Sequence, residues 1–229
     1  MNINNELIVI LGPTATGKTS LAVQIASNFN GEIISADSRQ IYKGLDIGTG
    51  KDLEEYTVYD KPIKYHLIDI LNPSENYSVY NFQRDFIKSY KQIIKKNKKP
   101  ILCGGTGLYI ESLLLDYDLS KSPPPDKELR KKLSKKSLSE LKIYLNKIND
   151  NIIKEPKNDT KNRIIRNIEI CLNYKKSATP LIEIPIKNYK IIGIDPGREV
   201  VREKITERLK KRMDQGLILE VEKLISQGV

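Results

Sequence analysis

Short apolar runs alternate with amphipathic stretches through the first half of the chain, the pattern of βαβ units around a mainly parallel sheet. Leu7–Leu11 reads as a buried strand, and residues 20–29 as a helix with Leu21, Ala22, Ile25 and Ala26 on one face. Residues 32–35 predict a second strand, followed by a long polar loop through Asp52. Residues 63–70 are strand-like. Ser78 is placed to cap a helix whose apolar stripe is Val79, Phe82, Phe86, Tyr90, Ile93 and Ile94. Residues 100–103 predict another strand and residues 108–115 another helix, after which the alternation stops.

Residues 116–188 follow a different pattern. Pro123-Pro124-Pro125 forms a stiff linker, and Asp126 can cap a short basic helix after it. Ser137 and Glu140 fit a capping box opening a second helix to about Ile148. Asp159 or Thr160 can start a third, with Ile164, Ile165, Ile168, Cys171 and Leu172 as its stripe. Arg163 and Arg166 lie off that stripe, three residues apart and able to face the same way. Residues 190–194 read as a strand returning to the core, and Asp195-Pro196-Gly197 turns into a final long helix. The expected fold class is α/β: a parallel sheet flanked by helices, residues 1–115 and 189–229, interrupted by an all-helical insertion, residues 116–188. No internal repeat is present.

Charge sharpens that division. Of the net +10, residues 121–176 hold 16 Lys and Arg against 7 Asp and Glu, while the remainder holds 23 against 22. A lysine-rich composition explains abundant lysine but not its uneven placement, and clustered cations suit a polyanion such as nucleic acid. With 39% hydrophobic and 30% charged residues over 229 positions, the chain fits a globular protein with one ordinary core and a small added unit. Its apolar runs are too short to span a bilayer, no signal peptide opens it, and two cysteines make no disulfide framework. The expected location is the cytoplasm, with no membrane partner and a monomeric state.

Gly12-Pro13-Thr14-Ala15-Thr16-Gly17-Lys18-Thr19 matches the phosphate-binding loop pattern in full, between a predicted strand and a predicted helix. This pattern is shared by nucleotide-binding and ATP-binding proteins. Its glycines let backbone N–H groups converge on phosphate oxygens at a helix N-terminus. Lys18 adds a mobile charge, and the Thr19 hydroxyl can join the shell of a Mg²⁺ ion bridging phosphates. Phosphoryl-transfer enzymes usually place a metal-binding Asp at the end of a central strand. Here that strand runs into Gly104-Gly105-Thr106-Gly107 instead, and an acid, Asp37, follows the second strand on the rim where α/β sheets bind ligands. Asp37 could accept a proton from an incoming nucleophile. His66 reads as structural, and Cys103 and Cys171 as packing residues. Tyr42, Tyr77 and Tyr109 suit pocket or core equally, and no spacing selects among Asp46, Asp52 and Asp69 as metal ligands.

Taken together, GPTATGKT at 12–19, SADSRQIYKGLDIGT at 35–49, HLIDI at 66–70, YSVYNFQRD at 77–85, GGTGLYI at 104–110, NRIIRNIEI at 162–170 and the pattern of residues 198–217 resemble the tRNA dimethylallyltransferase (tRNA isopentenyltransferase) family. The resemblance implies a P-loop NTPase-like core with an insertion that grips tRNA. It implies transfer of a dimethylallyl group from dimethylallyl diphosphate to N6 of an adenosine next to the anticodon, with pyrophosphate leaving. On the same resemblance, residues 12–19 hold the diphosphate with Mg²⁺, and Arg208 stabilises the departing charge. Asp37 orients N6 and takes its proton, and Thr106 sits beside both substrates. Contacts to tRNA are implied for Asp37, Ser38, Arg39, Gln40, Thr106 and Arg130, and for Asn162, Arg163, Ile164, Ile165 and Arg166.

The match departs from the family pattern in two places. Relatives continue past the point matched by Val229 with a further basic stretch, so a reduced grip on tRNA is expected. Tyr174-Lys175-Lys176 replaces a turn that commonly carries Gly-Lys. Three other readings share some features: a free-adenylate prenyltransferase, a P-loop small-molecule kinase, and a tRNA-binding homologue with impaired catalysis. The DIGT and HLIDI stretches and the basic insertion favour tRNA over a free nucleotide. The kinase reading leaves the insertion and GGTGLYI unexplained, and intact Lys18, Thr19, Asp37, Thr106 and Arg208 speak against lost catalysis.

Overall fold

The computed structural model describes residues 6–119, 123–153, 156, 160–173 and 181–229. The chain divides into two compact units, Met1–Tyr117 with Ile184–Val229, and Asp118–Glu183. The first opens with strand β1 (Leu7–Leu11), helix α1 (Lys18–Asn28) and strand β2 (Gly31–Ser35). A 3-10 turn (Leu53–Tyr56) leads to a small hairpin, β3 (Thr57–Val58) with β4 (Lys61–Pro62), and then to β5 (Tyr65–His66). Helix α2 (Val79–Lys95), strand β6 (Lys99–Gly104) and helix α3 (Gly107–Leu114) follow. The second unit holds α4 (Lys127–Leu133), α5 (Leu138–Ile148) and α6 (Lys161–Asn173). Back in the first unit come β7 (Tyr189–Gly193), α7 (Arg198–Asp214) and α8 (Leu217–Ser226).

The main sheet is parallel, in the order β5-β2-β6-β1-β7. Every residue of β2 and β6 is buried, as expected of inner parallel strands covered on both faces. Ala22, Val23 and Ala26 of α1 pack in one cluster with Ile10, Ile33 and Ile101. The stripe of α2 buries Phe82, Phe86, Tyr90 and Ile93, and Ser78 caps that helix by accepting the Asn81 N–H at 3.2 Å. No helix among the described residues is long and apolar enough to cross a membrane.

Two sequence expectations change. The strand expected over 63–70 contracts to Tyr65–His66, because Leu67 and Asp69 take positive φ angles of 63° and 55°, which extended chain does not allow. The single final helix is two, broken at Gly216, whose φ is 98°.

In the helical unit, Asp126 caps α4 by accepting the Leu129 N–H at 2.9 Å, and Ser137 with Glu140 forms the expected capping box on α5. Asp159 lies outside the described residues, as does the 174–176 departure. Leu133, Leu141, Leu145, Ile164, Ile165 and Ile168 make the core. Within it sits a fully buried carboxylate, Glu169, that periodicity did not reveal. It accepts from Arg130 Nε and Nη2 at 2.6 and 2.8 Å, from Arg166 Nη1 at 3.1 Å and from the Asp126 N–H at 3.0 Å. Removing it would take the acceptor from two partly exposed guanidinium groups and from the Asp126 N–H, and leave a cavity in the core. Glu169→Ala should therefore destabilise this unit by about 2–3 kcal/mol in urea unfolding followed by circular dichroism, and a cost near zero would show the cluster to be dispensable.

A second buried carboxylate anchors β2. Glu32 accepts from His66 Nε2 at 2.7 Å and pairs with Lys98 and Lys96 at 2.9 and 3.2 Å. Burial alone would raise its pKa, but hydrogen bonds from His66, Lys98 and Lys96 prevail and hold it down at about 2. A depressed folded pKa gives stability that is present above the unfolded value, 4.5, and lost as pH falls toward 2. Between those limits the wild type should lose on the order of 1–2 kcal/mol more than Glu32→Gln, read as the gap between their Tm-against-pH curves. Parallel curves would remove Glu32 as the acid-sensitive group.

Candidate active site

The loop after β1 wraps toward the start of α1. Thr16 Oγ1 donates to the Pro13 carbonyl at 2.9 Å, and the Lys18 ammonium folds onto the same oxygen. Gly17 caps α1 in the left-handed region (φ 81°), where only glycine sits without strain, and it supplies no side-chain acceptor. The first-turn N–H groups of α1 are thereby left for an anion rather than a capping side chain. Burial pulls the Lys18 pKa below the usual lysine range and Arg208 adds to that, while Asp37 opposes it. Residues 15–19 form one wall of an open cleft of about 440 Å³, faced by Lys204, Arg208 and Lys211 of α7.

The neighbouring strands bring the polar groups to the same edge. A Cβ on Gly104 would stand 2.3 Å from the Ala36 carbonyl oxygen, so only glycine lets β6 leave the sheet against the end of β2. The Ala36 N–H donates to Cys103 O at 2.8 Å, and the Thr106 N–H donates to Ala36 O at 3.1 Å. Thr106 Oγ1 in turn accepts the Ser38 N–H at 2.9 Å, which fixes Asp37 beside Thr106 although they are far apart in sequence. Asp37 Oδ1 accepts the Arg39 N–H at 2.8 Å, and its carboxylate lines a recess with Lys18, Thr19, Gln40 and Arg208.

The long loop between β2 and the 3-10 turn closes this recess. Gln40 Nε2 and Arg208 Nη2 both donate to the Gly50 carbonyl, at 3.0 and 3.3 Å. Arg208 also pairs with Asp52, which Arg212 approaches at 3.7 Å. A Cβ on Gly50 would stand 1.5 Å from Arg212 Nη2, so the glycine makes room for both arginines. Beneath the loop the buried Lys51 ammonium donates to Tyr42 O at 2.7 Å, to Asp46 Oδ1 at 2.6 Å and to Asp69.

Residues 12–19, Asp37, Ser38, Gln40, Thr106 and Arg208 are thus gathered at one rim, with Arg39 exposed on the turn beside them. Arg130, Asn162, Arg163 and Arg166 belong to the helical unit. There Asn162 and Arg163 are exposed, whereas Arg130 and Arg166 are engaged with Glu169. Ile164 and Ile165, also implied for tRNA contact, are core residues of that unit at 0% and 6% exposure, so their side chains pack inward instead of standing on its surface. Asp46, Asp52 and Asp69, considered as metal ligands, have cationic partners instead.

Tyr109 stacks on Phe82 with ring centroids 4.2 Å apart, and Tyr77 donates to Asp85 at 3.0 Å, so both pack. Cys103 is buried, which pushes its thiol up to about 12. His66 serves Glu32. Sequence patterns do not single out Lys51, Gly50 or Arg212: Gly50 and Arg212 act through contacts between α7 and a loop remote from it in sequence, and Lys51 through Tyr42, Asp46 and Asp69.

Models of two families match the chain: IPP transferase over residues 40–229 and isopentenyl transferase over residues 5–61. A tRNA dimethylallyltransferase 2 of Bacteroides fragilis is 50% identical over 224 residues, covering 98% of this chain and 72% of the relative. A tRNA dimethylallyltransferase 1 of Parabacteroides distasonis is 49% identical over 226 residues, with the same coverage of 98% and 72%. The crystal structure of a full-length tRNA isopentenylpyrophosphate transferase from Bacillus halodurans superposes with a TM-score of 0.67 at 34% identity, covering 98% of this chain and 71% of that one. A eukaryotic dimethylallyltransferase acting on tRNA shares the fold, with a TM-score of 0.74 at 21% identity over 97% of this chain and 56% of that one. With its loop, acid and arginine on one rim of a P-loop NTPase-like sheet, the chain belongs to the IPP transferase family.

Proposed function

We propose that this protein transfers a dimethylallyl group from dimethylallyl diphosphate to N6 of an adenosine adjacent to the anticodon of tRNA, releasing pyrophosphate. The observation that carries the reading is the shared recess: a phosphate-binding loop, an acid and an arginine face one another across it. In the reaction the bond from the prenyl carbon to the diphosphate oxygen breaks as the bond to N6 forms. Loop N–H groups, Lys18 and Arg208 take up the negative charge that develops on the leaving group. Asp37 receives the N6 proton; Thr106, accepting the Ser38 N–H, holds the backbone beside Asp37, and the Arg39 N–H holds its carboxylate. The acceptor base has to leave the anticodon stack to reach this rim.

Mg²⁺ would be held by the Thr19 hydroxyl together with diphosphate oxygens and water, and would add positive charge to the departing group. The donor set suits that ion: the Thr19 hydroxyl is a hard oxygen lining the recess beside the phosphate loop, and Mg²⁺ on phosphates needs few protein ligands. In the helical unit, the exposed Asn162 and Arg163 and the basic surface around them are assigned to tRNA, as is the turn of Ser38, Arg39 and Gln40. Arg130 and Arg166 would support that surface from their pairs with Glu169. The protein is taken to work as a cytoplasmic monomer.

Nucleoside mass spectrometry after incubation with dimethylallyl diphosphate, Mg²⁺ and unmodified tRNA, with AMP as a parallel acceptor, tests the reading. Prenylated adenosine from tRNA alone is expected; product from AMP alone would assign the protein to free-nucleotide chemistry. Asp37→Ala should lower turnover on the order of 10²–10⁴-fold while donor binding stays near normal. Equal loss of donor binding would sink the proton-acceptor role. Arg163→Gln should weaken tRNA binding and flatten its dependence on salt, by roughly one counter-ion in the log–log slope. An unchanged slope would take Arg163 out of the interface.

A further inference from the structure

Glu220 lies in the first turn of α8, far in sequence from the loop it meets. Its carboxylate accepts three consecutive backbone N–H groups: Asp46 and Ile47 on Oε2 at 2.8 and 2.7 Å, and Gly48 on Oε1 at 2.9 Å. Successive N–H groups turned to one side make an anion-binding concavity, and here a side chain of the same protein fills it. The break at Gly216 starts a new helix whose N-terminal end favours a carboxylate at that position. Gly48 permits the approach, since a Cβ there would stand 3.2 Å from Glu220 Oε1 and 3.3 Å from Leu217 Cδ1.

The loop so gripped is the one that closes the active recess. Asp46 is held from below by Lys51, and Thr49 and Gly50 line the recess. The Gly50 carbonyl is the point where Gln40 and Arg208 converge. We infer that Glu220 is a positioning residue for prenyl transfer: it clamps residues 46–48 so that the Gly50 carbonyl holds Gln40 and Arg208 in register with Asp37 and the phosphate loop. The inference rests on the transfer reading above. Glu220 lines neither the recess nor the cleft beside the phosphate loop. It acts through the loop.

Glu220→Gln tests the clamp with almost no change of shape. An amide offers one acceptor oxygen, and its NH₂ must face at least one of the three N–H donors. Expected results are amide exchange at residues 46–48 faster by on the order of tenfold and a kcat lower by about 10- to 100-fold. The KM for dimethylallyl diphosphate should stay within about twofold, because the phosphate loop does not contact Glu220. Glu220→Ala should behave alike and keep a cooperative thermal transition. Unchanged exchange would overturn the clamp, and faster exchange with unchanged kcat would overturn the positioning role. A wild type without transfer activity would overturn the functional reading and, with it, this role in catalysis; exchange at residues 46–48 would still decide whether the clamp exists.

Discussion

Leu11 pairs with Gly104 and Ser35 with Cys103, so β1, β6 and β2 end level, and the groups assigned to donor and acceptor leave the sheet from that edge. A one-residue slip in either pairing would reverse the faces of the strand and carry its loop away from the others. The constraint is held where β6 passes against Ala36, at a separation that excludes any side chain on Gly104. Once those three exits are fixed, the phosphate loop, Asp37 and Thr106 become neighbours without further design. The remaining walls can come from elsewhere in the chain.

Those walls consist largely of charges that must not neutralise the site they build. Lys51 has two carboxylate partners and a carbonyl, so it orders the loop beneath the recess and adds little field to it. Arg208 pairs with Asp52, which Arg212 also approaches, and Arg208 stands with Lys204, Lys211, Glu55 and Glu207 in the cleft beside the phosphate loop. An arginine already oriented by Asp52 and Gly50 is better prepared for a developing anion than one recruited from solvent. Ion pairs open to solvent on at least one side contribute little net stability as a rule, and the value of these lies in geometry.

The helical unit uses the same device differently. Its arginines stand on a basic helical surface, yet Arg130 and Arg166 turn inward to satisfy Glu169. That pairing ties α4 to α6 through a polar contact inside an apolar core, and it leaves positions such as Arg163 on the exposed face.

Local signals in the sequence were enough for most of the elements and for the position of the phosphate-loop pattern between β1 and α1. Helix α2 with its Ser78 cap, the Ser137–Glu140 capping box and the strand Leu7–Leu11 all stand where periodicity and capping place them, because their causes lie within a few residues. The loop at 12–19 and the acid after β2 were legible for the same reason. What depended on distant partners was not. Positive φ at Leu67 and Asp69 ends a strand that composition favours, and Asp69 then turns to Lys51. Ile164 and Ile165 sit inside a motif matched to a nucleic-acid role, but only packing decides that they face inward. Glu32, Glu169 and Glu220 look like any surface glutamate until the fold surrounds each with donors. A carboxylate's partners are set by three-dimensional proximity, to which a linear pattern of polar and apolar residues is blind.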